Sequence, residues 1–220
     1  MMNMDLKKQK KWFEEAYDLG EKRLDAGYGW PLTVDPQLTK FLKIIKKSTS
    51  KGKALDIGCG QGRHTILFAE NSFDSYGIDY IEMAIKEAKI EAKSRNLKNI
   101  YFKVMDLFSL DFRNNFFDVV LDWSVLDHIE SKNWDKYLKN ILKVLKVGGF
   151  LILTEFSAND KRIKDKTKNF YYHDKQYDHF FREDEIRKLF SKNFDIIEIN
   201  ETILKQPPIF LMINVLMRRK

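Results

Sequence analysis

The chain has 220 residues, 44% of them apolar and 32% charged, with a formal net charge of +7. That balance excludes a disordered chain and allows a sizeable buried core. A single cysteine, Cys59, excludes an internal disulfide and points to a reducing, cytoplasmic compartment. The lysines are spread along the chain with no block of five or more like charges. This reads as a solvated surface, so a nucleic-acid partner is possible but not favoured. Met1 to Trp12 holds lysines and no apolar run, unlike a secretory signal. The most apolar segment, Ile209 to Met217, is shorter than the ~20 residues a membrane helix needs, so no membrane partner is expected.

In chain order, Asp5 to Leu24 reads as an amphipathic helix with Phe13, Ala16, Tyr17 and Leu24 at helical spacing. Gly27-Tyr28-Gly29-Trp30-Pro31 breaks it with an aromatic loop. A second helix follows, with Asp35 as N-cap, Pro36 in the first turn, and Leu38, Phe41, Leu42 and Ile45 facing one way. Ala54 to Ile57 is a short strand that runs into the turn Gly58-Cys59-Gly60-Gln61-Gly62 and then a helix from Arg63. Strand, glycine turn and helix is how α/β folds bring a backbone close to a ligand. Cys59 is a small turn filler or, less simply, a thiol for chemistry.

Asp74 to Asp79 is a strand ending in an acid, about 20 residues past the glycine turn, where a carboxylate reaches ribose hydroxyls. The alternative for Asp79 is a cap for the helix Ile81 to Arg95, whose inner face is Ala84, Ile85, Ala88 and Ala92. Tyr80 and Met83 follow on the turn, placed against a ligand or in the core. Ile100 to Met105 is a third strand, ending at Asp106-Leu107. The near-continuous apolar run Phe116 to Asp122 suits a fourth strand buried on both faces. It leads into Trp123 and on to His128. Asn133 to Leu145 is helical, Lys146 to Gly149 a turn, and Phe150 to Thr154 a fifth strand.

Residues 155–181 have no clean period and hold Phe156, Phe170, Tyr171, Tyr172, Tyr177, Phe180 and Phe181. They read as a substrate-side lid or as a loop held down by its own aromatics. Arg182 to Phe190 is a short helix. Phe194 to Thr202 and Ile209 to Met217 are strands joined by a connection too short for a helical crossover, hence antiparallel.

Asp56-Ile57-Gly58-Cys59-Gly60-Gln61-Gly62 resembles the first motif of the class I S-adenosylmethionine-dependent methyltransferases. The spacing differs from the G-x-G-x-x-G of nicotinamide dehydrogenases, and Asp56 would repel a pyrophosphate while suiting an ammonium and a sulfonium. The helix, L-K-x-G-G and apolar strand around Leu145 to Thr154 is similar to the same family. The aromatic loop and overall size look somewhat like its thiopurine and tellurite-resistance type. The resemblance implies an α/β, Rossmann-like sheet of seven mostly parallel strands with a C-terminal antiparallel hairpin and helices on both faces.

The implied division is a single domain: residues 1–50 as a helical cap, 53–154 as the cofactor core, 155–181 as a lid, and 182–220 closing the sheet. The implied cofactor is S-adenosylmethionine. Its expected site residues are Asp56, Gly58, Cys59, Gly60, Asp79, Tyr80, Met83 and Asp122, with Asp106 and Leu107 on the adenine. Tyr28, Trp30, Trp123 and Tyr172 are the expected substrate or lid residues. His128 stands near the transferred methyl group as a base or a wall, or else lies hydrogen-bonded under a loop. No metal spacing stands out; Asp122 with Glu155 or Asp160 is the one route to a magnesium site. The expected reaction is in-line methyl transfer to a small molecule. An RNA or protein methyltransferase and a non-catalytic partner subunit are the alternatives.

Overall fold

In a computed structural model the structure is described for residues 6–19, 33–165, 167–172, 176–204 and 209–220. The chain begins with helices α1 (Leu6–Asp18) and α2 (Pro36–Ile45). The expected cap at the second is present: the Asp35 carboxylate accepts from the Gln37 amide at 2.8 Å. Tyr28, Trp30 and the expected end of the first helix at Leu24 lie outside the described residues. Strands and helices then alternate: β1 (Gly52–Ile57), α3 (Arg63–Glu70), β2 (Phe73–Asp79), α4 (Glu82–Ser94), β3 (Ile100–Val104), β4 (Phe117–Trp123), α5 (Trp134–Val144) and β5 (Leu145–Phe156). A hairpin of β6 (Phe170–Tyr172) and β7 (Tyr177–His179) precedes α6 (Glu183–Phe190), β8 (Phe194–Ile203) and β9 (Leu211–Arg219).

The seven-stranded sheet has the order β3-β2-β1-β4-β5-β9-β8. Its first five strands are parallel, and β9 runs antiparallel to both β5 and β8. Two apolar layers follow from the two-residue period of the strands. Ala54, Val119, Leu121, Phe150 and Ile152 face α2 and α3, with Phe41 and Phe68 fully buried there. Leu55, Ile57, Val120, Leu151 and Leu153 face α5 and α6, against Tyr137, Ile141, Ile186 and Phe190. Each such large apolar side chain contributes about 1.5–3 kcal/mol by leaving water. A strand buried on both faces has no polar side to show, which is why β4 and β5 read as unbroken apolar runs.

Two expectations need correction. Lys146 to Gly149 is not a free turn: β5 begins at Leu145 and runs through it. Gly148 adopts φ 76°, and the β4–β5 register slips between Phe117 and Val119. The glycine pair is therefore a bulge inside a strand. Residues 155–181 are also not devoid of regular structure. β6 and β7 pair antiparallel, and the Phe181 amide donates to the Phe156 carbonyl at 2.7 Å, tying the segment to the end of β5. Among the described residues no helix is long and apolar enough to cross a membrane.

Candidate active site

The carboxyl ends of β1, β2 and β4 open into a cavity of about 1190 Å³. Its floor begins at the glycine turn. Gly58, Gly60 and Gly62 have φ values of 62°, 53° and 83°, the left-handed region in which a side chain is strained. Space forbids one as well: a Cβ on Gly58 would run into Val125 Cγ2, and one on Gly60 would meet Tyr17 Oη at 2.8 Å. The turn closes by a Gly62 amide bond to the Cys59 carbonyl at 2.9 Å, and the Cys59 amide donates to the Ile78 carbonyl at 2.9 Å.

Two carboxylates flank the turn. Asp79 accepts from the Gly60 amide at 3.0 Å and from the Ile81 amide at 2.8 Å. It therefore clips the glycine loop and starts the entry to α4 with the same group, while still lining the cavity. Burial pushes its pKa up to about 6, against the pull of those amides. Asp56 accepts from Thr65 Oγ1 at 2.6 Å, and burial raises it to about 7 despite that bond and the Arg63 charge. Burial makes a charge on either carboxylate costly, and a cationic ligand beside them would offset that cost.

Helix α1 lies across the opening. Gln9, Phe13 and Tyr17 recur every four residues and so share one face. Gln9 Nε2 donates to the His128 carbonyl at 3.0 Å. Phe13 meets the rings of Tyr80 and His128 edge-on at 6.2 and 5.5 Å, and Tyr17 packs with Ile81 and Ala84 above Gly60. On the α2–α3 side, Trp123 donates from Nε1 to Asp35 Oδ2 at 2.9 Å and carries the Arg63 guanidinium 4.3 Å over its ring. His64 accepts there from the Asp35 amide and from Arg63 Nε, and burial then the Arg63 charge hold its pKa well below the usual value.

His128 lies between carboxylates. Its Nδ1 is 3.0 Å from Asp178 Oδ1 and 3.2 Å from the Tyr177 carbonyl, and its Nε2 is 3.6 Å from Asp127 Oδ1. Burial works against a charged ring, but Asp127 and Asp178 outweigh it and hold the pKa up at about 9. A ring held protonated at neutral pH has no free lone pair to take another proton, which favours the wall or hydrogen-bonded reading over the base.

A family profile described as a methyltransferase domain matches residues 48–194, the span that supplies the glycine turn, both carboxylates and His128. The chain belongs to the methyltransferase domain family. Its sheet order and C-terminal strand pair are those of the class I, S-adenosylmethionine-dependent fold. The 1,6-didemethyltoxoflavin-N1-methyltransferase of Burkholderia thailandensis was solved with 1,6-didemethyltoxoflavin and S-adenosylhomocysteine bound. It superposes with a TM-score of 0.74 at 18% identity, covering 98% of this chain and 88% of that one. The 2-heptyl-1-hydroxyquinolin-4(1H)-one methyltransferase of Mycobacteroides abscessus is 26% identical over 66% of this chain and 63% of its own length. The tRNA N(3)-methylcytidine methyltransferase trm140 of Schizosaccharomyces pombe is 24% identical over 86% of this chain and 65% of its own length. The alignments thus span a little under two thirds of both curated relatives.

Within this methyltransferase domain Asp56, Gly58, Cys59, Gly60, Asp79, Tyr80, Asp106, Leu107, Trp123 and His128 line the cavity. Asp106 also caps the turn after β3, accepting from the Phe108 amide at 2.8 Å. Three expected residues are not in its wall. Met83 is 38% exposed because it falls off the Ala84, Ile85, Ala88 face of α4. Tyr172 turns to Tyr177 across the hairpin and to Glu130 ahead of α5. Asp122 is sealed below the floor, receiving Tyr137 Oη at 2.7 Å and the Val125 amide at 2.9 Å. Glu155 lies with it, and burial, then the Asp122 charge, push its pKa well above the usual carboxylate range. Asp160 is instead fixed by Arg162 and the Leu211 amide. Among the described residues no group of three or more histidines, cysteines or acids is placed to hold a metal.

The sequence places Phe13 and Tyr17 in the helical cap and Phe156 and Phe180 in the lid without singling them out as site residues, and does not point to Gln9, Gln176, Asp178 or Phe210, all in the cavity wall. The four-residue spacing of Gln9, Phe13 and Tyr17 was available as a signal. Phe156, at the carboxyl end of a parallel-sheet strand, obeyed the rule that ligands bind there.

Proposed function

We propose that the chain is an S-adenosylmethionine-dependent methyltransferase whose acceptor is a small molecule. The observation that carries this reading is the glycine turn held between two buried carboxylates at the cavity floor, in a chain of the methyltransferase family. The residues fit the cofactor. Gly58 and Gly60 leave room for close approach, Asp79 is fixed to meet ribose hydroxyls, and Asp56 suits the amino-acid end. Tyr80, Asp106 and Leu107 are assigned to the adenine. The bound cofactor supplies a methyl group activated by its sulfonium charge.

The chain's own part is to hold the two partners in line and keep water out. In this reading Phe13 and Tyr17 on α1 close over the floor, residues 155–181 form the acceptor side, and His128 fixes the position of the hairpin rather than taking a proton. The whole of residues 1–220 acts as one domain in the reducing cytoplasm. The net charge of +7 and the tRNA-modifying relative favour an RNA acceptor as the second reading. RNA binding that weakens steeply with salt would select it.

Calorimetric titration with S-adenosylmethionine, S-adenosylhomocysteine and NAD, beside an Asp79→Ala variant, tests the proposal. Micromolar binding of the first two, weakened by the substitution, supports it. Binding of NAD alone, or of none of the three, sinks it.

A further inference from the structure

The cavity has two chemically different halves. Against the glycine and carboxylate half stands a wall of rings brought by four separate elements: Phe13 from α1, Phe156 ending β5, Phe180 after β7, and Phe210 before β9. None of the four is fully buried. Phe156 stacks on Phe180 with centroids 5.5 Å apart and planes at 26°, and lies tilted against Phe210 at 4.7 Å and 33°. His128 meets Phe156 at 83° and Phe13 at 73°. The rings thus hold one another in place by stacked, tilted and edge contacts, and a flat ring is the ligand shape that joins such a cluster by the same contacts.

The charges in this half are already matched. His128 sits between Asp127 and Asp178, Gln176 Nε2 donates to Asp178 at 2.8 Å, and Arg162, over the Phe210 ring, is held by Asp160. A phosphate or carboxylate entering here would meet cations that carboxylates hold, and would lose its hydration. Size points the same way. At about 1190 Å³ the cavity exceeds the ~300–1,000 Å³ of a single drug-sized ligand site, so it has room for a second molecule beside a cofactor.

We propose that the half lined by Phe13, Phe156, Phe180 and Phe210 is the acceptor seat, and that it takes a flat, uncharged aromatic molecule. This rests on the methyltransferase reading and narrows it to a substrate class. Phe156 and Phe180 are the specificity-determining residues, with Phe210 completing the stack. The seat selects by ring shape and lack of charge, because its polar members are bound to one another.

The test is titration of the full chain, saturated with S-adenosylhomocysteine, with three probes of one outline: 2-naphthol, decahydro-2-naphthol and 2-naphthyl phosphate. The expected result is that 2-naphthol binds and each of the others binds at least about tenfold more weakly. Phe180→Leu and Phe156→Ala are expected to weaken 2-naphthol about tenfold and to leave S-adenosylhomocysteine affinity within about twofold. Because the probe series is read on the wild-type chain, a variant that fails to fold does not remove the test. Equal or tighter binding of the saturated or phosphorylated probe, or no binding of 2-naphthol, overturns the proposal. Failure of S-adenosylhomocysteine to bind would instead count against the methyltransferase reading, and the probe series would still report on the ring wall.

Discussion

Asp56 and Asp122 stand next to last in neighbouring parallel strands, one register step apart: Asp56 pairs with Leu121, and Ile57 with Asp122. That single step puts their side chains on opposite faces of the sheet. Asp56 turns toward α3, bonds Thr65 and lines the cavity; Asp122 turns toward α5, bonds Tyr137 and is fully buried. Glu155 shares the parity of Leu151 and Leu153 on β5 and joins Asp122 beneath the floor. Burial raises the pKa of all three. A perturbed acid at a strand end is therefore not by itself a site residue. What covers it decides, and β-sheet parity decides what covers it.

The first way to break this comparison is at the turn that separates the two sets. Gly58→Ala puts a methyl group against Val125 at φ 62°. Strain plus the clash predict loss of about 2 kcal/mol or more of stability, a drop of about 5 °C in Tm, and no measurable cofactor binding. A variant with unchanged Tm and affinity would mean that the turn is not a tight cradle.

The open and sealed acids should then part company in binding. Asp79→Ala removes the acceptor for the Gly60 and Ile81 amides and is expected to weaken S-adenosylmethionine by at least about tenfold. Asp122→Asn is expected to change affinity by less than about twofold, since it reaches no ligand. Calorimetry on the two variants side by side sharpens the contrast; equal losses would abolish it.

Replacing His128 should have a smaller effect than a base would. With a pKa of about 9 the ring is charged at pH 7. His128→Gln is expected to lower kcat less than about tenfold, through loosened positioning of the hairpin. A loss of more than about a hundredfold, with disappearance of a limb near pH 9 in the rate profile, would restore the base assignment.

The smallest effect is on stability against pH. Asp56 at about 7, His128 at about 9 and Glu155, which burial pushes up, all have folded pKa values above their unfolded ones. Such groups bind more protons folded than unfolded, so the stability they contribute is lost as pH rises through the folded value. His64 shifts the other way, and its contribution is fully present above pH 6.5. From pH 6.5 to 9 the free protein should therefore lose thermal stability. His128→Gln should flatten the slope, and a Tm rising over that range would contradict the burial of these groups.

The seven strands of the main sheet, the antiparallel close of that sheet and the Asp35 cap were legible in the sequence because each depends on neighbours in the chain. Apolar runs of β4 and β5, the glycine turn after Asp56, and a connection between β8 and β9 too short for a crossover are local facts with local consequences. The Gly148-Gly149 bulge was misread because a glycine pair is compatible with a turn or a bulge until the partner strand is present.

What the sequence alone determined was the order of elements and the residues that end each strand. Only the tertiary structure decided which of those residues share one space. Strand register sent Asp122 under the floor, helix phase turned Met83 outward, and packing brought Phe13, Phe156, Phe180 and Phe210 together from across the chain. The reason is physical: backbone geometry acts over a few residues, whereas the walls of a cavity come from contacts distant in the chain, set by how whole faces pack.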